Sequence, residues 1–273
     1  MKKHKNKEDL ILEIIIKSKI QELFKEFKVF MDNPELKLCE VEVFNGLLSR
    51  ERGTITSTVV YPQNPKQKLK LRTERFNSAI YGKGIKAHYY HEFTHIYDYY
   101  NMMKLFDFNE IASYTRLYSE FHASEIEMKV AMGFSTAYAF KNISLNEEIS
   151  IGPNDISLGE YIKKETLSYY KGIPILFKKY NENPLPNNLA ILLHKLLSHS
   201  MYYYSKINFL ERYCIDDFSD KVDRLIFSDV LGEEIECVFE LLKTDVIDKS
   251  VLVLINEYES KIADKFIEKY KSD

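Results

Sequence analysis

Leu10, Ile11, Ile14, Ile15, Leu23, Phe24 and Phe27 recur at the three- and four-residue steps of a helix and predict one helix over residues 7–31. Asp32, Asn33 and Pro34 close it. Three runs rich in β-branched or alternating residues follow, at 36–44, 54–61 and 68–76. Gly53 and the proline-bounded stretch 62–65 separate them, and Gly82 and Gly84 end the region, so a small antiparallel or mixed sheet is expected. Helical spacing returns over 85–105, breaks at 106–109, and resumes over 110–132, with Gly133 as the C-terminal cap. Residues 141–156, with Gly152, Pro153 and Asn154, predict a loop. Ser157 and Glu160 have the spacing of a capping box before a further helix. The Pro- and Asn-rich stretch 181–188 predicts a linker, and helices are expected over 189–212, 219–243 and 249–271. The class expected is α+β, with the chemistry in 1–135 and a mainly helical C-terminal portion in 136–273.

Composition narrows the class without naming a function. Of 273 residues, 45% are hydrophobic and 29% charged, enough to bury an ordinary core. The net charge of -3 supplies no global basic field, and no nucleic-acid partner is expected. The lysine-rich run 2–7 reads as a solvated tail. Cys39, Cys214 and Cys237 form no Cys-x-x-Cys pair and read as reduced thiols, which favours a cytoplasmic location. The first apolar run is broken by Glu13 and Lys17, unlike a signal peptide, and no stretch approaches the ~18 apolar residues of a membrane span.

The chemistry concentrates where the histidines crowd. Residues 91–95 read His-Glu-Phe-Thr-His. On a helix, His91 and His95 project from one face and reach one Zn²⁺ at about 2.0–2.1 Å each. Glu92 points to a neighbouring direction, placed to act as general base on a metal-activated water. Seven histidines and 27 glutamates shuffled through the chain give this pattern about 0.02 times. The pattern alone is suggestive, and its helical setting after a β region strengthens it. The plain competing reading is a helix with two surface or half-buried histidines.

A catalytic zinc site takes three protein ligands and one open position. If 85–105 and 110–132 run antiparallel around a turn near residue 107, residue 93 lies level with about residue 121. Glu120 fits best as third ligand, with Glu125 and Glu127 as fallback choices. Glu110 lies roughly 15 Å away along the axis. Ala123 is small enough to let the helices approach. Ser124 and Glu125 are candidates to orient a ligand histidine, and Asp98 is either a further one or an exposed helix acid.

Residues 91–99, His-Glu-Phe-Thr-His-Ile-Tyr-Asp-Tyr, resemble the active helix of the zincin metallopeptidases, specifically the gluzincin group. Glu120-Phe121-His122-Ala123 resembles the Glu-x-x-Ala signature of several gluzincins, including small intracellular peptidases that cleave repressors of mobile elements. The resemblance covers roughly 68–133. It implies a zincin-like core of small sheet and active-site helix pair, one Zn²⁺ per chain held by His91, His95 and Glu120, and Glu92 as base. Asp98 and Asn101 stand where a metzincin has glycine and its third ligand, and the full thermolysin second-helix signature is absent, so no family within the gluzincins is assigned.

Other groups have weaker claims. His88 shares the face of His91 and His95 and reads as a cleft-rim residue. His122 reads as packing. His194, His199 and the tyrosines at 202–204 are candidates to stabilise an oxyanion, against the more common role of core or surface groups. Arg116 reads as a surface ion pair. The run 68–76 reads as a strand bordering the cleft, either receiving an extended substrate along its edge or guarding that edge with Lys68, Lys70 and Arg72. The function expected is zinc-dependent hydrolysis of a peptide or protein substrate. The alternative is a catalytically inactive zincin-like scaffold that binds a protein partner through its C-terminal helices.

Overall fold

The computed structural model describes residues 7–44, 57–74, 84–151, 156–244 and 247–270. Gly53, Gly82, Gly152, Pro153, Asn154 and the lysines before Lys7 lie outside the described residues. The fold is α+β, predominantly helical with few strands. It divides into two compact units interleaved along the chain. The first is drawn from the chain through Lys104 together with Ile126–Phe140 and Ser150–Asp155. The second is drawn from Leu105–Glu125, Lys141–Ile149 and the chain from Ile156 onward. The division passes between Glu125 and Ile126, inside one continuous helix.

The first unit begins with helix α1 (Lys7–Phe30). Ile16, Ile20, Leu23, Phe24, Phe27 and Phe30 form its buried face. Leu10, Ile11, Ile14 and Ile15, which have the same spacing, remain exposed. Asp32 ends the helix in the left-handed region at φ 49, and Lys28 Nζ donates to the Pro34 carbonyl at 2.8 Å. The strands β1 (Glu40–Phe44), β2 (Ser57–Val60) and β3 (Lys70–Glu74) form a mixed sheet in the order β1-β3-β2, with β1 parallel and β2 antiparallel to β3.

β3 is therefore the central strand, which overturns the expectation of an open edge at 68–76. Its charged positions face β1: Lys70 lies opposite Glu40 and Arg72 opposite Glu42, each pair 3.6 Å apart. The alternation of basic residues is the outer face of a paired strand. Leu71, fully buried, points the other way.

Helix α2 (Ile85–Met102) follows Gly84, whose φ of 84 suits a residue without a Cβ. Aromatic packing fixes it to α1: Phe93 meets Phe24 edge-on at 5.0 Å between centroids, and Tyr90 meets Phe27 at 5.1 Å. Polar bonds fix it to the sheet. Tyr89 Oη and Thr73 Oγ1 are 2.9 Å apart, and His88 Nε2 and Ser57 Oγ are 2.7 Å apart. α2 is thus braced on two sides, which limits its rotation and sets the direction of the side chains on its remaining face.

Helix α3 (Phe108–Ala131) ends as expected at Gly133, with φ +71, where Phe134 N–H donates to the Lys129 carbonyl at 2.9 Å. The second unit holds the start of α3, a two-strand ladder of β4 (Glu148–Ile149) and β5 (Ile156–Ser157), and the helices α4 (Leu158–Asn181), α5 (Pro186–Tyr213), α6 (Ser228–Leu231), α7 (Glu234–Leu242) and α8 (Lys249–Tyr270). Ser157 Oγ accepts from the Glu160 N–H, as the capping-box spacing requires. The linker expected at 181–188 shrinks to 182–185, because Pro186 opens α5 in the first-turn position where its missing N–H costs nothing. The single helix expected over 219–243 is two short helices, interrupted at Gly232 with φ +91. α5 supplies much of the core of this unit: Leu196, Met201, Tyr203, Tyr204 and Ile207 are all buried, and Tyr204 stacks on Phe239 at 4.7 Å. Among the described residues, no helix is long and apolar enough to cross a membrane.

Candidate metal centre

His91 and His95 leave one face of α2, as the four-residue spacing dictates, with ring centroids 5.0 Å apart and planes at 81°. Glu120 of α3 is grouped with them. One ligand atom from each of the three residues lies within 4.8 Å of the other two. Two imidazoles and a carboxylate suit zinc in donor type and number. Ligand atoms about 2.0–2.2 Å from one tetrahedral ion stand about 3.4 Å apart, so closing on a metal takes a modest inward movement of side chains. His95 is buried, and so is Glu92, the residue after His91.

A fourth residue joins the site. Glu127 Oε2 lies 3.3 Å from His91 Nδ1. Sequence reasoning held Glu127 only as a substitute ligand and assigned the orienting role to Ser124 or Glu125. Those two engage other partners: Ser124 Oγ donates to the Tyr202 carbonyl at 3.4 Å, and Asn208 Nδ2 donates to Glu125 Oε2 at 3.4 Å. The signal for Glu127 was its distance of seven residues from Glu120. Two turns of helix bring a side chain back to within about 20° of the same face.

His88 lies one turn before His91, with its Nε2 against Ser57 Oγ. Burial pushes its pKa down to about 4, Glu127 opposing and His91 adding to that shift. It is neutral at physiological pH and serves as a strut to the sheet rather than a cleft-rim group. His122 stacks on Tyr118 at 5.4 Å, and its Nδ1 is 3.3 Å from Tyr118 Oη, in keeping with packing. Asp98 is almost fully buried, which removes the exposed-acid reading.

Within the second unit, Arg116 pairs with Glu259 of α8. Burial lowers the Arg116 pKa, and Glu120, one turn along α3, opposes that shift. His194 of α5 belongs to the same electrostatic neighbourhood: partial burial and then the Arg116 charge lower its pKa, and Glu120 opposes them. Tyr203 and Tyr204 are core residues instead. Tyr203 Oη accepts from the Asp223 N–H at 2.8 Å, and Tyr204 Oη donates to Glu236 at 2.5 Å. His199 packs against Tyr169 at 5.9 Å.

Comparison with models of protein families, with curated proteins and with solved structures finds no match to this chain.

Proposed function

We propose that the chain is a zinc-dependent peptidase of the cytoplasm, built on a zincin-like core. The observation that carries this reading is the convergence of His91, His95 and Glu120, residues far apart in sequence. Glu92 in the intervening turn supports it. A zinc ion bound there, one per chain, supplies Lewis acidity, which lowers the pKa of water and polarises a carbonyl.

The remaining work falls to side chains. His91 presents Nδ1 to Glu127, which leaves Nε2 as its coordinating nitrogen. Glu120 brings the single negative charge of the ligand set. Glu92 accepts a proton from the attacking water and passes it to the leaving nitrogen as the C–N bond breaks, so the water's OH ends on the carbonyl carbon and its proton on the amine.

The test pairs metal analysis with one substitution. Purified protein is expected to carry about one zinc per chain, and Glu92→Gln is expected to keep the zinc while losing hydrolysis of a broad peptide library. Protein without zinc sinks the metal reading. Zinc with equal peptide turnover by wild type and Glu92→Gln sinks the catalytic one, and zinc with no turnover by either points to an inactive scaffold.

A further inference from the structure

The first turns of α1 present an apolar surface that the fold does not use. Leu10 is 53% exposed, Ile11 49%, Ile14 60% and Ile15 47%, although the rest of the helix buries its large apolar residues apart from the half-buried Leu12 and the exposed Val29. The four lie within about 140° of arc at 100° per residue, on the side of the helix away from Ile16, Ile20, Phe24 and Phe27. Four adjoining branched aliphatic side chains in water are a standing cost, and a patch of this kind marks an interaction surface.

The charge around it selects the partner. Residues 1–20 carry six lysines against three acids, in a chain whose net charge is -3, so the segment opposes the sign of the molecule as a whole. Four of those lysines, at positions 2, 3, 5 and 7, directly precede the patch. Lys17 and Lys19 fall about 90–110° to either side of its centre, where long side chains can reach past apolar neighbours to a charged plane. Lys19 pairs with Glu22 at 3.4 Å on the open surface, and Lys17 with Glu13 at 2.8 Å, where the lysine is 40% and the acid 16% exposed. An aliphatic face flanked by lysines is the pattern of a helix lying in the interface of an anionic bilayer.

We infer that the start of α1 docks this protein on anionic membrane surfaces, with Leu10, Ile11, Ile14 and Ile15 in the acyl boundary and the lysines among the headgroups. The inference is independent of the metal centre. A second copy of the chain is the competing occupant, but a like-charged copy would bring the two lysine clusters together.

The experiment is co-sedimentation of the full-length protein with vesicles of 70% phosphatidylcholine and 30% phosphatidylserine, and with pure phosphatidylcholine. Binding to the mixed vesicles only is expected, weakening in high salt. The double variant Leu10→Ser/Ile14→Ser changes exposed side chains alone and is expected to lower the partition coefficient by roughly tenfold or more. Replacing Lys2, Lys3, Lys5 and Lys7 with glutamine is expected to lower it roughly tenfold as well. Circular dichroism confirms that each variant is folded. Failure to bind the mixed vesicles overturns the proposal, and so does binding that either variant leaves unchanged. A dimer in sedimentation equilibrium that the serine variant dissociates, without vesicle binding by wild type, assigns the face to a second copy instead.

Discussion

Glu127 Oε2 stands 3.3 Å from His91 Nδ1, and seven residues earlier on the same helix Glu120 completes the cluster with His91 and His95. A carboxylate on the far nitrogen of a ligand imidazole fixes the tautomer and raises the basicity of the near one. Glu127→Gln is therefore expected to weaken zinc affinity by roughly 10- to 100-fold with the fold intact. Competition with a chromophoric chelator measures it, and an unchanged affinity removes Glu127 from the site.

Glu120 and Glu125 make a sharper pair. Glu120→Ala removes one of three proposed ligands and is expected to leave the purified protein with little zinc. Glu125→Ala deletes a carboxylate that accepts from Asn208 and is expected to retain it. The reverse ranking in elemental analysis would move the third ligand off Glu120.

His88 gives a pH dependence of stability. Its folded pKa is depressed to about 4, whereas the unfolded value is near 6.5. Above pH 6.5 both states are neutral and the group is silent. Between about 6.5 and 4 the unfolded chain takes up a proton that the folded chain refuses, so stability falls as pH falls, by at most on the order of 3 kcal/mol. Denaturant unfolding at pH 7, 6 and 5 is expected to show a shallower decline for His88→Gln than for wild type. Parallel profiles would show that His88 is not held neutral.

Tyr204 tests the core of the second unit. Tyr204→Phe keeps the stacking on Phe239 and removes the bond to Glu236, so a loss of about 1–2 kcal/mol is expected. A change within error in chemical denaturation would mean that water replaces the hydroxyl at no cost.

The local geometry of the site was legible in sequence because a helix turns spacing into direction. His91 and His95 needed only the 3.6-residue period, and the level of Glu120 needed only a turn position and a rise per residue. Glu127 was read as a substitute ligand rather than as the neighbour of His91 because that estimate weighed level along the axis and not return to the same face after two turns. Periodicity also left the buried side of α1 ambiguous. Leu10, Ile11, Ile14 and Ile15 satisfy it as well as Ile16, Ile20, Phe24 and Phe27 do, and only the packing of Phe93 and Tyr90 separates the two sets. Strand pairing was out of reach for a different reason. Alternation at 70–74 marks two faces of a strand but names no neighbours, although Glu40 and Glu42 had the complementary alternation. The helix expected over 219–243 failed twice: 219–227 forms turns, and Gly232, with its positive φ, separates α6 from α7.

α3 carries Glu120 and Glu127 on one uninterrupted helix, and so the count of residues between them sets their relative direction. Deleting one residue from 121–126 swings Glu127 by about 100° relative to Glu120, away from His91. Inserting one has the opposite and equal effect, while a whole additional heptad restores the direction but lengthens the reach by about 10 Å. This stretch should therefore admit almost no change in length, a signature that gaps would reveal when related chains are aligned.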